Sequence, residues 1–170
     1  MQHLFTNDNI TIRKFKPEEL PLFLELFDDP EVTKYLPFRS TEQYAEMFHI
    51  ALDEYKSNLL TRYGIFNAKT NTFIGMCLIR PFADIKGPLE IGYTLAKAHW
   101  GKGIATEVSR ALTNYCFKNT TVDSVVAVTD LNNIGSQRVL ENSGFARLDN
   151  LKRPTEELAF YAVERNDFMR

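Results

Sequence analysis

Two glycines one residue apart, Gly101 and Gly103, stand where a strand-like segment gives way to a helical pattern, and that placement carries the strongest chemical signal in the chain. Neither has a Cβ, so the backbone between them can turn tightly and approach a ligand closely. Ala105 keeps a following position slim. The amides from Gly101 to Thr106 then lie at a helix N-terminus, where unpaired N–H groups and the positive end of the helix dipole favour an anion. This is the physics of a phosphate cradle, and it points to a polyphosphate-bearing cofactor. The loop does not match the dinucleotide fingerprint, which needs three glycines, or the P-loop, which needs a lysine where Ile104 follows Gly103. Alone, it also fits a turn that merely joins strand to helix.

Glu90 is the second group with chemistry in reach. In a strand, Leu89, Ile91, Tyr93 and Leu95 share one face and Glu90, Gly92 and Thr94 the other. A mid-strand carboxylate beside the small Gly92 could lie over a cleft and reach an amine, directly or through water. Partial burial would raise its pKa towards the range of a general base. A half-exposed strand glutamate beside an arginine or lysine is the plainer reading of the same position.

The elements that must position these groups follow from pattern. Asn9 to Phe15 alternates apolar and polar and predicts a first strand. Pro17 opens a helix with Glu18 and Glu19 at its positive end, and Asp28-Asp29-Pro30 closes it. A short helical piece around Val32 to Leu36 and a longer helix from about Thr41 to Ser57 come next. Glu18, Glu19, Glu25, Asp28, Asp29 and Glu31 read as a solvated helix face rather than as a site for a cation. Strands are expected at Thr61 to Asn67, Thr72 to Arg80 and Leu89 to Leu95, the first two joined as a hairpin. Beyond the glycine loop, Ile104, Val108, Ala111, Leu112, Tyr115 and Cys116 recur at helical spacing. Val122 to Thr129 is a β-branched run suited to a buried strand. A short helix from Ile134 to Asn142 ends at Gly144, and strands at Phe145 to Leu148 and Leu158 to Glu164 finish the chain. The order predicts a mixed α/β sheet with at least one right-handed strand–helix–strand crossover.

Composition sets the outer limits. With 170 residues, 44% hydrophobic and 25% charged, the chain suits one globular domain over 1–170. A net charge of −2 argues against nucleic acid as a partner. No apolar run approaches the ~20 residues of a membrane helix, so no membrane partner is expected. The opening Met1-Gln2-His3-Leu4-Phe5-Thr6 lacks a basic region followed by an apolar stretch, which makes the cytoplasm the default location. Cys77 and Cys116 lie within apolar patterns and read as small buried hydrophobes. His3, His49 and His99 show no metal-ligand spacing, and no metal is expected.

Three segments then combine. Leu89-Glu90-Ile91-Gly92-Tyr93-Thr94-Leu95, the loop Trp100-Gly101-Lys102-Gly103-Ile104-Ala105-Thr106-Glu107, and the stretch Asn132-Asn133-Ile134-Gly135-Ser136-Gln137-Arg138 through Gly144-Phe145 resemble the GNAT acetyltransferase superfamily. The likeness is greatest to its Rim-type, ribosomal-protein N-acetyltransferase-like branch. Ile10-Thr11-Ile12-Arg13, Asp29-Pro30-Glu31-Val32-Thr33-Lys34-Tyr35-Leu36 and Tyr161-Ala162-Val163-Glu164-Arg165-Asn166-Asp167-Phe168 resemble that branch too, so the similarity spans nearly the whole chain.

The resemblance implies a central mixed sheet of about six to seven strands flanked by helices, with a splayed strand pair forming an acetyl-CoA cleft. It implies that the backbone of Ile91, Tyr93, Thr94 and Leu95 holds the pantetheine arm, and that Trp100, Gly101, Lys102, Gly103, Ile104, Ala105 and Thr106 surround the pyrophosphate. In the family's phosphate-loop pattern a Gln or Arg comes first; Trp100 takes that place here, with Gly103 and Ala105 at the later small positions. Asn133 would hydrogen-bond the cofactor arm, and Ser136 would lie near the sulfur. Leu140 stands where many relatives carry a tyrosine acid. Asn133 equally fits a helix N-cap and Ser136 a first-turn serine.

The implied activity is acetyl-CoA-dependent transfer to a primary amine, either a protein N-terminus or a small molecule. Glu90 would act as base and Ser136 as acid, in a monomer or homodimer. A non-catalytic acyl-CoA-binding or regulatory domain of the same fold is the alternative.

Overall fold

The computed structural model describes residues 3–169; Met1 and Gln2, part of the stretch read above for a leader, and Arg170 lie outside the described residues. The chain condenses into two compact units. One takes the sequence up to Leu78 together with Tyr93–Ile104, the other Ile79–Gly92 and the sequence from Ala105 onward.

In the first unit β1 (His3–Thr6) pairs antiparallel with β2 (Ile10–Arg13), β2 with β3 (Arg62–Asn67), and β3 with β4 (Phe73–Pro81). The β3–β4 hairpin closes where the Asn67 side chain accepts from the amides of Lys69 and Thr70 and Asn71 takes a φ of 60°. A 3-10 turn at Pro17–Glu19 leads into α1 (Leu20–Asp28), followed by α2 (Pro30–Thr33) and α3 (Thr41–Glu54). Asp29 ends α1 and caps α2 by accepting from the Glu31 amide, and Ser40 with Gln43 forms a capping box on α3. The apolar stripes of these helices meet the sheet in a core rich in aromatic rings: Phe15, Phe23, Phe27, Tyr44, Phe48 and Phe66. Phe27 and Tyr44 stack with centroids 4.3 Å apart.

In the second unit β5 (Leu89–Leu95) begins, α4 (Ile104–Asn119) crosses over, and β6 (Ser124–Asp130) pairs parallel to β5. After α5 (Ile134–Asn142), β7 (Ala146–Arg153) and β8 (Glu156–Glu164) form an antiparallel hairpin, and α6 (Arg165–Phe168) follows. β8 pairs with β6 from Ser124↔Glu164 to Asp130↔Leu158. Phe82, Val126 and Phe160 form a core here, with Phe82 and Phe160 stacked at 5.6 Å. α4 buries Val108, Ala111, Leu112, Cys116 and Phe117, and the Arg165 guanidinium donates to the carbonyls of Phe117 in its last turn and of Thr120 and Val122 beyond it.

Eight strands follow the order β1-β2-β3-β4-β5-β6-β8-β7, so the mixed α/β expectation holds with one strand more than the six to seven foreseen. β1 is the addition: four largely exposed residues that are strand only because β2 offers them a partner. β7 also runs past the expected Leu148, because its register shifts between Leu148 and Leu151 and breaks the alternation at Asp149 and Asn150. Glu19 is a correction too. It is buried rather than on a solvated face, and both its oxygens accept from Arg13 at 2.9 Å. Among the described residues no helix is long and apolar enough to cross a membrane.

Candidate active site

The glycine loop is shaped by backbone conformation. Gly101 and Gly103 adopt φ of 72° and 79°, the left-handed region that other residues occupy at a cost. A Cβ built on either glycine meets nothing within 4 Å, so internal packing does not require glycine there. The left-handed backbone requires it, and both glycines would have room for a side chain. Such a cradle fits a pyrophosphate. Trp100 anchors the loop from behind: its indole Nε1 donates to the Leu95 carbonyl at 2.9 Å, tying the loop to the end of β5, while the ring remains partly exposed. Burial, and then the charge of Lys102, push the His99 imidazole below its ordinary value. His99 is therefore neutral at pH 7, and Lys102 is the cation of this loop.

Thr94 and Leu95 sit against β4 at Gly75, where a Cβ would lie 2.2 Å from the Thr94 carbonyl oxygen and 2.8 Å from the Leu95 Cα. The Ala96 amide donates to the Ile74 carbonyl at 2.9 Å. Gly75 thus fixes the end of β5, a role the sequence reading did not assign. A lone glycine within an apolar strand pattern was the available sign.

Glu90 lies in the second unit. It is buried rather than half-exposed, with its side chain 8% accessible, and Oε1 accepts from Arg80 Nε at 2.8 Å. Arg80 was read only as a strand end. The pairing of β5 with β6 covers Leu89↔Val125 and Glu90↔Val126, and the described ladder goes no further although both strands continue.

Asn133 is the N-cap of α5, its Oδ1 accepting from the Ser136 amide at 3.1 Å. Gln137 Nε2 donates to the carbonyls of Asp130 and Leu131, which pins the turn between β6 and α5. Ser136 is half-buried on the first turn, and Leu140, at the tyrosine position, is buried in the core. Both cysteines are buried, and burial pushes their thiols up, away from nucleophilic thiolate.

The expected site residues therefore divide. Tyr93, Thr94, Leu95, Trp100, Gly101, Lys102, Gly103 and Ile104 belong to the first unit; Glu90, Ile91, Ala105, Thr106, Asn133 and Ser136 belong to the second.

A family model described as an acetyltransferase (GNAT) domain matches residues 9–146. The chain is 31% identical over 150 residues to the uncharacterized N-acetyltransferase p20 of Bacillus licheniformis, covering 86% of this chain and 84% of that protein. Over 144 residues it is 26% identical to the putative ribosomal N-acetyltransferase YdaF of Bacillus subtilis, covering 82% and 79% of the two. Among solved structures, the ribosomal-protein-S5-alanine acetyltransferase of Vibrio fischeri aligns with a TM-score of 0.80 at 18% identity, over 96% of this chain and 97% of that one. The aminoglycoside acetyltransferase AAC(6')-Ib in complex with coenzyme A aligns at 0.79 and 18% identity, over 95% and 98%. The chain belongs to the GNAT acetyltransferase family. It is an N-acetyltransferase, and its mixed α/β fold is the fold of that family.

Proposed function

We propose that this enzyme transfers the acetyl group of acetyl-CoA directly to a primary amine. The observation that carries the reading is the left-handed Gly101–Gly103 loop, which runs into the N-terminus of α4. The amides from Gly101 to Thr106 take the pyrophosphate, with Lys102 adding charge, and the main chain of Ile91, Tyr93, Thr94 and Leu95 takes the pantetheine arm. A backbone amide of that strand polarises the thioester carbonyl. Glu90 removes a proton from the acceptor ammonium, directly or through water. The amine nitrogen attacks the carbonyl carbon, the carbon–sulfur bond breaks, the extra proton left on nitrogen passes to the thiolate or to water, and Ser136 donates a hydrogen bond to the departing sulfur. A thiol of pKa ~8.5 leaves without full protonation, so Ser136 stabilises the leaving group more than it must protonate it. Asn133 spends Oδ1 on the helix cap, which leaves its amide NH₂ to meet a carbonyl of the arm.

Gly103→Val tests the cradle. Valine adds strain at φ 79° and fills the approach to the amides, so calorimetry should show acetyl-CoA binding ~10-fold or more weaker, with melting measured alongside to establish folding. Parent-like affinity would place the pyrophosphate elsewhere. Thiol release from acetyl-CoA with amino acids, peptide N-termini and polyamines then reads the transfer itself.

A further inference from the structure

The Arg80–Glu90 pair is lopsided. Glu90 is 8% exposed at its side chain and Arg80 49%. Only Nε of the guanidinium is engaged, by Glu90 Oε1 at 2.8 Å, and no other described residue accepts from its Nη1 or Nη2. The carboxylate nearest in sequence, Asp84, is committed elsewhere: Arg153 donates to it through Nε at 3.0 Å and Nη2 at 2.8 Å, while Arg153 Nη1 donates to Glu156. The other titratable group of the loop between Arg80 and Glu90, Lys86, carries positive charge. A guanidinium whose end fork is open to solvent is suited to a carboxylate, which it can hold through two parallel N–H bonds.

We propose that Arg80 selects the acceptor, and that the acceptor is an amine carrying a carboxylate beside it. The inference rests on Glu90 being the group that meets the amine. In that reading the carboxylate of Glu90 and the guanidinium of Arg80, in direct contact, form an opposed pair of charges. An α-amino acid presents the mirror arrangement, an ammonium and a carboxylate on one carbon. Docked head to tail, the ammonium meets Glu90 and the carboxylate meets the Nη end of Arg80, so each charge keeps a partner. A polyamine or an aminoglycoside gives Arg80 no anion and sets further cations against it. The same chemistry occurs in a peptide that begins with aspartate, whose side-chain carboxylate lies close to the terminal amine.

The test compares acceptors that differ only in that carboxylate: a panel of free α-amino acids against the matching α-amides, and a tetrapeptide beginning with Asp against one beginning with Asn. The parent enzyme should prefer the acid over the amide in kcat/KM, in the free or the peptide series according to the natural source. Arg80→Ala should shrink that preference by about 10- to 100-fold, through the acceptor KM, whatever loss it shows with both acceptors. Arg80→Lys should restore part of it, because charge is kept and the fork is lost. If Arg80→Ala lowers acid and amide equally, Arg80 only holds Glu90 in place and the proposal fails. Should the parent release thiol with polyamines but not with any acid of either series, the proposal fails while the acetyl-transfer reading stands. Loss of that reading looks different: no amine draws thiol from acetyl-CoA, and Glu90→Gln changes nothing.

Discussion

Two of the molecule's arginine–glutamate pairs, Arg13–Glu19 and Arg80–Glu90, share their chemistry and differ in their surroundings. In the first unit, Arg13 and Glu19 are both sealed, with side chains 3% and 11% exposed. Arg13 donates to both Glu19 oxygens, to the Lys14 carbonyl and to Asn71, and its guanidinium lies 3.5 Å from the Phe66 ring centroid. Glu19 also accepts from the Lys16 amide at 2.7 Å. In the second unit, Arg80 gives Glu90 a single bond and keeps its outer donors in water. A buried pair held by several hydrogen bonds is a staple between β2 and the turn before α1. An ion pair with one open partner is able to do chemistry, because its charges are not used up by the fold.

Breaking the sealed pair has the largest expected effect. Arg13→Ala leaves a buried carboxylate without its cation, which should cost about 3–5 kcal/mol and lower Tm by on the order of 10 °C in calorimetry. A change of a degree or two would mean that the pair is no staple. Glu90→Gln comes next. Glutamine can still accept from Arg80, so melting should stay near that of the parent while kcat falls about 10²-fold or more and acetyl-CoA affinity is retained. If turnover drops only at acidic pH, another group or a water removes the proton.

Acid titration sharpens the contrast further. Burial alone would raise the Glu19 carboxyl, but the Arg13 and Lys16 hydrogen bonds and the charges of both residues together hold it below its ordinary 4.5. A carboxyl lowered by folding stabilises the protein fully above its unfolded value, and that stability disappears as pH falls through the folded one. Urea unfolding should therefore show the gap between parent and Glu19→Gln wide at pH 6 and narrowing below pH ~4. A gap independent of pH would assign the stabilisation to packing. The smallest effect belongs to Arg80→Ala, at about 1 kcal/mol of stability, since water can reach the donor position that the half-exposed side chain vacates. A loss as large as that of Arg13→Ala would make both pairs staples and abolish the distinction.

Much of the site's frame was legible because it is local. The bounds of β5 and α5, the left-handed Gly144 and the glycine loop before α4 all follow from side-chain period, turn residues and capping within a few residues of each other. Asn133 as N-cap belongs to the same class. Arg13 and Glu19 were six residues apart in plain view, yet acidic residues at a helix start usually face water, and only the packing of the turn against β2 buries this one. Arg80 escaped notice for a related reason. Its partner lies across a reversal of the chain, and no periodicity marks which strand-end arginine will meet a glutamate in the next strand.

The sequence by itself determined the element order, the family and the chemical types at the loop and at Glu90, since these depend on neighbours in the chain and on residue identity. Tertiary structure decided which charges are spent and which are kept. It joined β1 to β2, set Gly75 against Thr94 and Leu95, and gave Glu90 a half-exposed arginine as its partner. Those outcomes depend on strand pairing and on burial between distant segments, and burial is what separates a buried carboxylate from a solvated one.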